Sequence, residues 1–344
     1  MSFSPAPGPT SHDDLDLAGA TILLTGGTGS FGNAFVERVI DEWPDTVIRI
    51  YSRDELKQSE MRAKFGDRNL RFLIGDVRDR LRMSRAAQGC DIVIHAAAMK
   101  QVPACEYNPF EAVRTNVLGG QHVVDAAIDA KVTKVVALST DKAVNPVNLY
   151  GATKLCAEKI FVQGNAYAAQ SQTRLACVRY GNVVGSRGSV VPLFRQQMAD
   201  QGRLTITDER MTRFWITLPQ AVDLVLHALG NMEGGEIFIP KIPSMRVVDL
   251  AEAMAPGVPR DVIGIRPGEK LHELMLTADE SRHAIDAGTT YVVLPEHSWW
   301  SEQTTRISGT PVPDGFVYSS DGNDRWLSAH DLAGLLRFAP ATAA

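Results

Sequence analysis

Cysteine is scarce in this chain. The four residues in 344, Cys90, Cys105, Cys156 and Cys177, include no CxxC pair and have no histidine at metal-ligand spacing. They read as reduced packing residues, and no metal site is expected. Cationic excess is missing too: 35 Lys and Arg against 40 Asp and Glu leave a formal charge of -5. No general basic surface is then available for nucleic acid, and any anionic ligand needs a local grip. Apolar runs of the length a bilayer demands are absent, as are internal repeats. The opening residues, MSFSPAPGPTSHDDLDLA, have no basic start followed by an apolar stretch, so they do not read as a secretory signal. Residues 1–18 read instead as a mobile leader, and the expected compartment is the cytoplasm. What remains is 44% hydrophobic, an ordinary globular composition able to bury a large core.

From Ala20 the chain alternates apolar runs (ATILLTGG, TVIRIYS, LRFLIGD, CDIVIHAAA, KVVALST) with helical stretches such as NAFVERVIDEW. Alternation of this kind predicts right-handed βαβ units and a parallel sheet, and runs apolar throughout fit strands covered on both faces. After about Gly185 the pattern turns irregular, although ITLPQAVDLVLHAL still reads as a helix. The expected organisation is a nucleotide-binding domain over 19–185, with 214–232 packing back on it, a mainly substrate-binding lobe over 186–294 and a C-terminal extension over 295–344. Trp299, Trp300 and Trp326 in that extension read as packing or subunit contacts.

The string TILLTGGTGSFGNAFVERV places Gly26, Gly29 and Gly32 where the first strand turns into the first helix. Glycines there permit a tight turn and let backbone amides approach a pyrophosphate at the helix N-terminus. Thr28, Ser30 and Phe31 belong to the same expected cofactor loop; the alternative is a glycine-rich turn that binds nothing. The second strand decides between dinucleotides, because an acidic residue at its end would hold a ribose hydroxyl and repel a phosphate. It ends instead in Tyr51, Ser52 and Arg53, with Lys57 following. Arg53 and Lys57 can pair with the 2'-phosphate of NADP and Ser52 can donate to it; the alternative is a solvated charged loop. Asp76 and Val77 end the third strand, at the expected adenine position. Ala96, Ala97 and Ala98 end the fourth, where small side chains leave room for the rest of the cofactor. His95 reads as a core histidine.

The most specific signal is ALSTDKAVNPVNLYGATK. Tyr150 and Lys154 stand four apart and share a helix face, so the lysine's charge can stabilise the phenolate of a catalytic tyrosine. Thr140 ends the preceding strand and can bond the same substrate hydroxyl. This is the Ser/Thr-Tyr-Lys arrangement of short-chain dehydrogenases/reductases, in their extended branch given the long C-terminal lobe. Asp141 and Lys142 are additional, and a dehydratase needs such a pair. Once carbon 4 of a sugar is oxidised, Lys142, with its pKa lowered by burial, can remove the carbon 5 proton, and Asp141 can protonate the departing carbon 6 hydroxyl. The alternative is a structural Asp-Lys ion pair.

The strings TGGTGSFG, YSRDELKQSEM, IGDVRD, STDKAVNPVNLYGATK, VRYGNVVGSRGSVVP, MTRFWITL, EIFIPKIPSM and GIRPGEKLHE together resemble the inverting UDP-N-acetylglucosamine 4,6-dehydratases that open pseudaminic acid synthesis. The resemblance runs from about Ala20 to about Leu276. It implies an α/β fold, a Rossmann-type doubly wound parallel sheet with a smaller C-terminal substrate-binding lobe. It also implies an NADP cofactor, a UDP-N-acetylglucosamine substrate and a homo-oligomer, a dimer or hexamer. Thr140, Asp141, Lys142, Tyr150 and Lys154 each match the family's functional positions, where retaining relatives carry glutamate in place of Lys142. Gln101 stands where relatives tend to have histidine. Asn182, Arg187, Arg213 and Arg266 are spaced to grip a diphosphate from several loops, with Lys100 and Glu269 as further substrate contacts. A nucleotide-sugar epimerase, a retaining dehydratase and a non-catalytic nucleotide-binding protein are the rival readings.

Overall fold

The computed structural model describes residues 15–66, 68–168, 171–186, 189–296 and 307–337. The apolar runs form strands β1 (Thr21–Thr25), β2 (Val47–Ser52), β3 (Leu70–Ile74), β4 (Ile92–His95), β5 (Lys134–Leu138) and β6 (Arg174–Val178). Between them lie helices α1 (Ser30–Glu42), α2 (Glu55–Phe65), α3 (Arg80–Ala87), α4 (Val102–Tyr107), α5 (Pro109–Ala112), α6 (Gly119–Asp129) and α7 (Leu149–Ala168). A π-helical turn over Val113–Leu118 joins α5 to α6.

Both faces of the central strands are buried because alternate residues enter opposite cores. Leu23, Val93 and Val135 pack with Val123 of α6 and Phe161 of α7, whereas Leu24 and Ile94 pack with Phe35 and Val39 of α1. Each such side chain, once buried, stabilises the fold by roughly 1.5–3 kcal/mol. The order runs β3-β2-β1-β4-β5-β6, parallel throughout. Strand order reverses beside β1 and β4, which opens the crevice where an α/β sheet binds its ligand. The fold is α/β and Rossmann-type.

The rest of the chain weaves between layers. Strands β7 (Asn182–Val183), β8 (Leu204–Ile206) and β9 (Thr212–Ile216) and helices α8 (Val190–Gln201) and α9 (Leu218–Asn231) come first. Strand β10 (Ile237–Pro240) then rejoins the large sheet parallel to β6. It is followed by β11 (Ser244–Arg246), α10 (Val247–Met254), β12 (Arg260–Val262), β13 (Leu274–Leu276), β14 (Ala284–Asp286) and β15 (Thr290–Val293). Strands β15 and β14 extend the large sheet antiparallel beyond β10. Residues 237–240, 284–286 and 290–293, which the sequence pattern assigns to the second lobe, therefore belong to the nucleotide-binding layer. Helix α9 starts at a capping box between Thr217 and Gln220 and buries Val225 and Leu229 against α1. The second lobe has its own core of Val191, Phe194, Leu204, Trp215, Met245 and Leu250.

The leader differs from expectation at its described end. Leu17 is fully buried and its carbonyl accepts from the Thr46 hydroxyl at 2.7 Å, so residues 15–18 are anchored to the domain. Trp299 and Trp300 lie outside the described residues; Trp326 is partly exposed and its indole donates to the Asn323 carbonyl at 2.6 Å. Among the described residues no helix is long and apolar enough to cross a membrane.

Candidate active site

The crevice at the C-terminal ends of β1, β2 and β4 is shaped by backbone. Gly26 has φ +67, and a Cβ there would sit 2.8 Å from the Ala97 nitrogen, so only glycine lets the loop pass under the alanines after β4. A Cβ on Gly32 would meet the Gly27 carbonyl oxygen at 2.1 Å, so this glycine serves helix-to-loop packing. Gly29 caps α1 without a side-chain hydrogen bond, and the first turn, from Ser30, carries no acid. Its free amides and the helix dipole suit an anion. Thr28 is buried in the loop, and Phe31 stacks on Phe35 with centroids 5.9 Å apart. Ala96, Ala97 and Ala98 line the opposite wall, Ala96 donating to the Thr25 carbonyl at 3.1 Å.

At the far end of the crevice the charges are shared differently from the sequence expectation. Arg53 is exposed, 3.8 Å from the Asp76 carboxylate. Lys57 is not free: its ammonium pairs with Asp54 at 2.9 Å, and Asp54 also caps α2. The Asp76 carboxyl lies below its ordinary range; burial opposes this, but the Arg78 guanidinium hydrogen-bonded to it, at 2.6 and 2.9 Å, prevails. Val77 is buried beside it. His95 is buried, bonded to Thr25 Oγ1 at 2.8 Å and stacked on Phe161, as a core histidine should be.

Beyond β5 the sheet pairing continues through Ser139, which donates to Val178 O, and Asp141, which donates to Tyr180 O. This rigid extension carries Thr140 and turns into a 3₁₀ segment, Asp141–Ala143. Helix α7 approaches closely because Gly151 lacks a side chain; a Cβ there would lie 2.1 Å from the Lys142 carbonyl oxygen. Tyr150 is thereby set beside Thr140, Asp141 and Lys142, all of which act on its hydroxyl. Thr140 Oγ1 donates to Asp141 Oδ1 at 2.8 Å, and Lys142 Nζ donates to the same oxygen at 3.0 Å and to Asn182 Oδ1 at 3.3 Å. Asp141 is 0% exposed, and among the described residues its Oδ2 has no hydrogen-bond partner.

Two electrostatic expectations are corrected by these neighbours. Burial by itself would lower the Lys142 pKa, but the charges of Asp141 and of Glu273, whose Oε1 lies 3.5 Å away, outweigh it and raise the pKa. The residue rests as an ammonium. Burial likewise pushes Tyr150 up to about 12, and the cation that opposes this is Lys142. Lys154, expected in that role, donates to the Leu138 carbonyl at 2.7 Å, and burial lowers its own pKa.

The family described as Polysaccharide biosynthesis protein matches residues 22–295. The chain belongs to that family. It is 50% identical to a UDP-N-acetylglucosamine 4,6-dehydratase (inverting) of Campylobacter jejuni over 92% of this chain and 97% of the relative. It is 46% identical to a UDP-glucose 4-epimerase of Rickettsia felis over 79% and 82%. The X-ray structure of Pen from Bacillus thuringiensis superposes with a TM-score of 0.87 at 39% identity, covering 94% of this chain and 99% of that one.

The second lobe contributes more to the cluster around Lys142 than its sequence suggests. Glu273, 2% exposed, lies 3.7 Å from Arg213 Nε and 3.8 Å from Lys270 Nζ, and Lys270 also donates to the Val144 carbonyl. Arg213, expected to reach a diphosphate, is buried and spends its guanidinium on the carbonyls of Thr212, Lys270 and Leu271. Arg266 is exposed, with Glu269 3.9 Å away across the tight turn that RPGEK forms. Asn148 closes the junction by donating to Gly268 O at 2.7 Å. Desolvation and the charge of Lys142 lower the Lys100 pKa, which places that lysine in the same electrostatic field. Arg187 lies outside the described residues. Glu273 carries no sequence signal beyond being an acid that opens the apolar run ELML, and only the fold brings it to Lys142; Lys270, at the end of the RPGEK turn, faces Glu273 and the Val144 carbonyl.

Proposed function

We propose that the protein is a UDP-N-acetylglucosamine 4,6-dehydratase that inverts carbon 5 and uses NADP. The product is UDP-2-acetamido-2,6-dideoxy-β-L-arabino-hexos-4-ulose. The observation that carries this reading is the Asp141–Lys142 pair, hydrogen-bonded at 3.0 Å, with Thr140 bonded to the same carboxylate and Tyr150 beside it. An acid and a base beyond the Thr-Tyr-Lys set are what elimination of water requires.

The loop from Gly26 through Thr28, Gly29, Ser30 and Phe31 to Gly32 would hold the pyrophosphate. Ser52 and Arg53 would hold the 2'-phosphate, with Lys57 tied to Asp54. Asp76 and Val77 would flank the adenine, and Ala96, Ala97 and Ala98 the rest. Bound there, oxidised NADP would supply the acceptor for the carbon 4 hydride and, once reduced, its donor to carbon 6, so none would be consumed. Tyr150, beside Thr140, acts as its phenolate, the form that the Lys142 cation favours against burial, and so accepts the proton of the carbon 4 hydroxyl, while Lys154 supports this end of the site from one helical turn away. Passing one proton from the Lys142 ammonium to the Asp141 carboxylate yields a free amine and a carboxylic acid together. The amine then removes the carbon 5 proton while the acid protonates the carbon 6 hydroxyl, which leaves as water, and the ion pair is restored; a solvent proton reaches carbon 5 on the opposite face as the hydride returns to carbon 6, which inverts that centre, and Tyr150 releases its proton to solvent. Asn182 steadies Lys142 throughout. Lys100, Arg266 and Glu269 remain the contacts for the sugar nucleotide.

The likeness to the rickettsial epimerase favours one second reading, a 4-epimerase, which would return the hydride to carbon 4 and release no water. The protein is to be incubated with UDP-N-acetylglucosamine without added cofactor and the product weighed by mass spectrometry. Loss of one water is expected, and a product of unchanged mass would reject the dehydratase in favour of the epimerase. The working form is a homo-oligomer: Tyr107, Phe110, Val113 and Leu118 expose apolar surface along the run from α4 to the π turn.

A further inference from the structure

We infer that Gln58 sets the preference for NADP by fixing the Ser52 hydroxyl as a hydrogen-bond donor; this rests on the NADP reading above. Helix α2 is polar along most of its length, and its buried residues are Met61 and Gln58, the latter 5% exposed. A buried amide needs partners, and Gln58 finds them at the end of β2. Its Nε2 lies 3.1 Å from Ser52 O, 3.0 Å from Leu73 O and 3.0 Å from Ser52 Oγ. The two carbonyls can only accept, so the amide must present its NH₂ to them; the flipped amide would set oxygen against oxygen. An NH₂ group only donates, so its two hydrogens are shared among the three oxygens, and Ser52 Oγ accepts in a bifurcated bond with its own carbonyl.

The consequence falls on the serine proton. With one lone pair of Oγ engaged by Gln58, the hydroxyl hydrogen points elsewhere, and among the described residues it has no acceptor. Arg53 follows in the chain with its side chain exposed. Together they offer donors to a group that can only accept, which describes a phosphate dianion. A free ribose hydroxyl is served better by an acceptor, the role an acidic residue plays in NAD sites. Gln58 touches no ligand in this account; it is a positioning residue acting through Ser52.

The test compares dissociation constants of NADP and NAD, by isothermal titration of cofactor-stripped protein, for the wild type, Gln58→Met, Ser52→Ala and the double variant. The ratio of the two constants within one variant is insensitive to the folded fraction, so a merely structural role would not move it. Each single change should cut the preference for NADP on the order of ten-fold, the scale of one hydrogen bond to a charged group. The double variant should lose no more than either single, because both act on the same contact. An unchanged ratio in Gln58→Met, or losses that add in the double variant, would overturn the inference. If Gln58→Met does not fold, an unchanged ratio in Ser52→Ala overturns it equally. A wild type that itself prefers NAD overturns the cofactor reading and this inference with it, and that result is read before any variant is made.

Discussion

Lys142 shares its charge with two buried carboxylates, Asp141 and Glu273, and this governs how its role can be tested. Removing the cation leaves both acids without it, so Lys142→Met should cost about 3 kcal/mol of stability, the scale for breaking a buried ion pair. Its folded pKa is raised above the unfolded value. The contribution is therefore fully present below about pH 10.4, the ordinary lysine value, and is lost as pH rises beyond it. Denaturant melts should show the gap between wild type and Lys142→Met narrowing above that pH; a gap independent of pH would contradict the assignment. Lys142→Arg keeps the charge but has no accessible neutral form, so it should stay folded and lose turnover by roughly 10²–10⁴-fold. At this scale the sequence was legible where residues are neighbours in the chain. Thr140, Asp141 and Lys142 are consecutive, and Tyr150 and Lys154 share a helix turn. The protonation state of Lys142 was not legible, because Glu273 arrives from the start of β13.

Helix α7 is placed by a contact that a pattern of apolar residues does not encode. A Cβ at position 151 would meet the Lys142 carbonyl oxygen at 2.1 Å, so Gly151→Ala must push the helix away from the 141–143 turn. Overpacking of this kind costs about 1–3 kcal/mol. Tyr150, the preceding residue, would move off Thr140. The melting temperature should fall, and turnover should fall further than the folded fraction explains; wild-type turnover in this variant would show that the close approach is dispensable. The long parallel strands were legible because each is an apolar run bounded by turns and buried on both faces. Short strands such as β7, with two residues, and β8, with three, carry too little periodicity to be read. The return of β10, β14 and β15 to the large sheet depends on pairing that no local pattern announces.

The whole molecule brings its second lobe onto the C-terminal edge of the parallel sheet through Asn148 to Gly268, Lys270 to Val144 and Lys142 to Asn182. Asp141, Lys142 and Tyr150 come from the sheet side, and the charges around them come partly from the lobe. A net charge of -5 leaves association to local apolar surface. Phe110→Glu, at a site 76% exposed, should then lower the mass seen by light scattering while leaving the melting temperature of the subunit nearly unchanged; an unaltered mass would place the oligomer contact elsewhere. The central claim, elimination with inversion at carbon 5 driven by Lys142 and Asp141, is tested most directly by running the reaction in deuterated water and following the first-formed product by proton NMR. The account predicts an L-configured carbon 5 bearing deuterium and a carbon 6 methyl free of it at early times, because its new hydrogen arrives as hydride. A D-configured carbon 5 in that product, or a carbon 5 that keeps its original hydrogen, would contradict it.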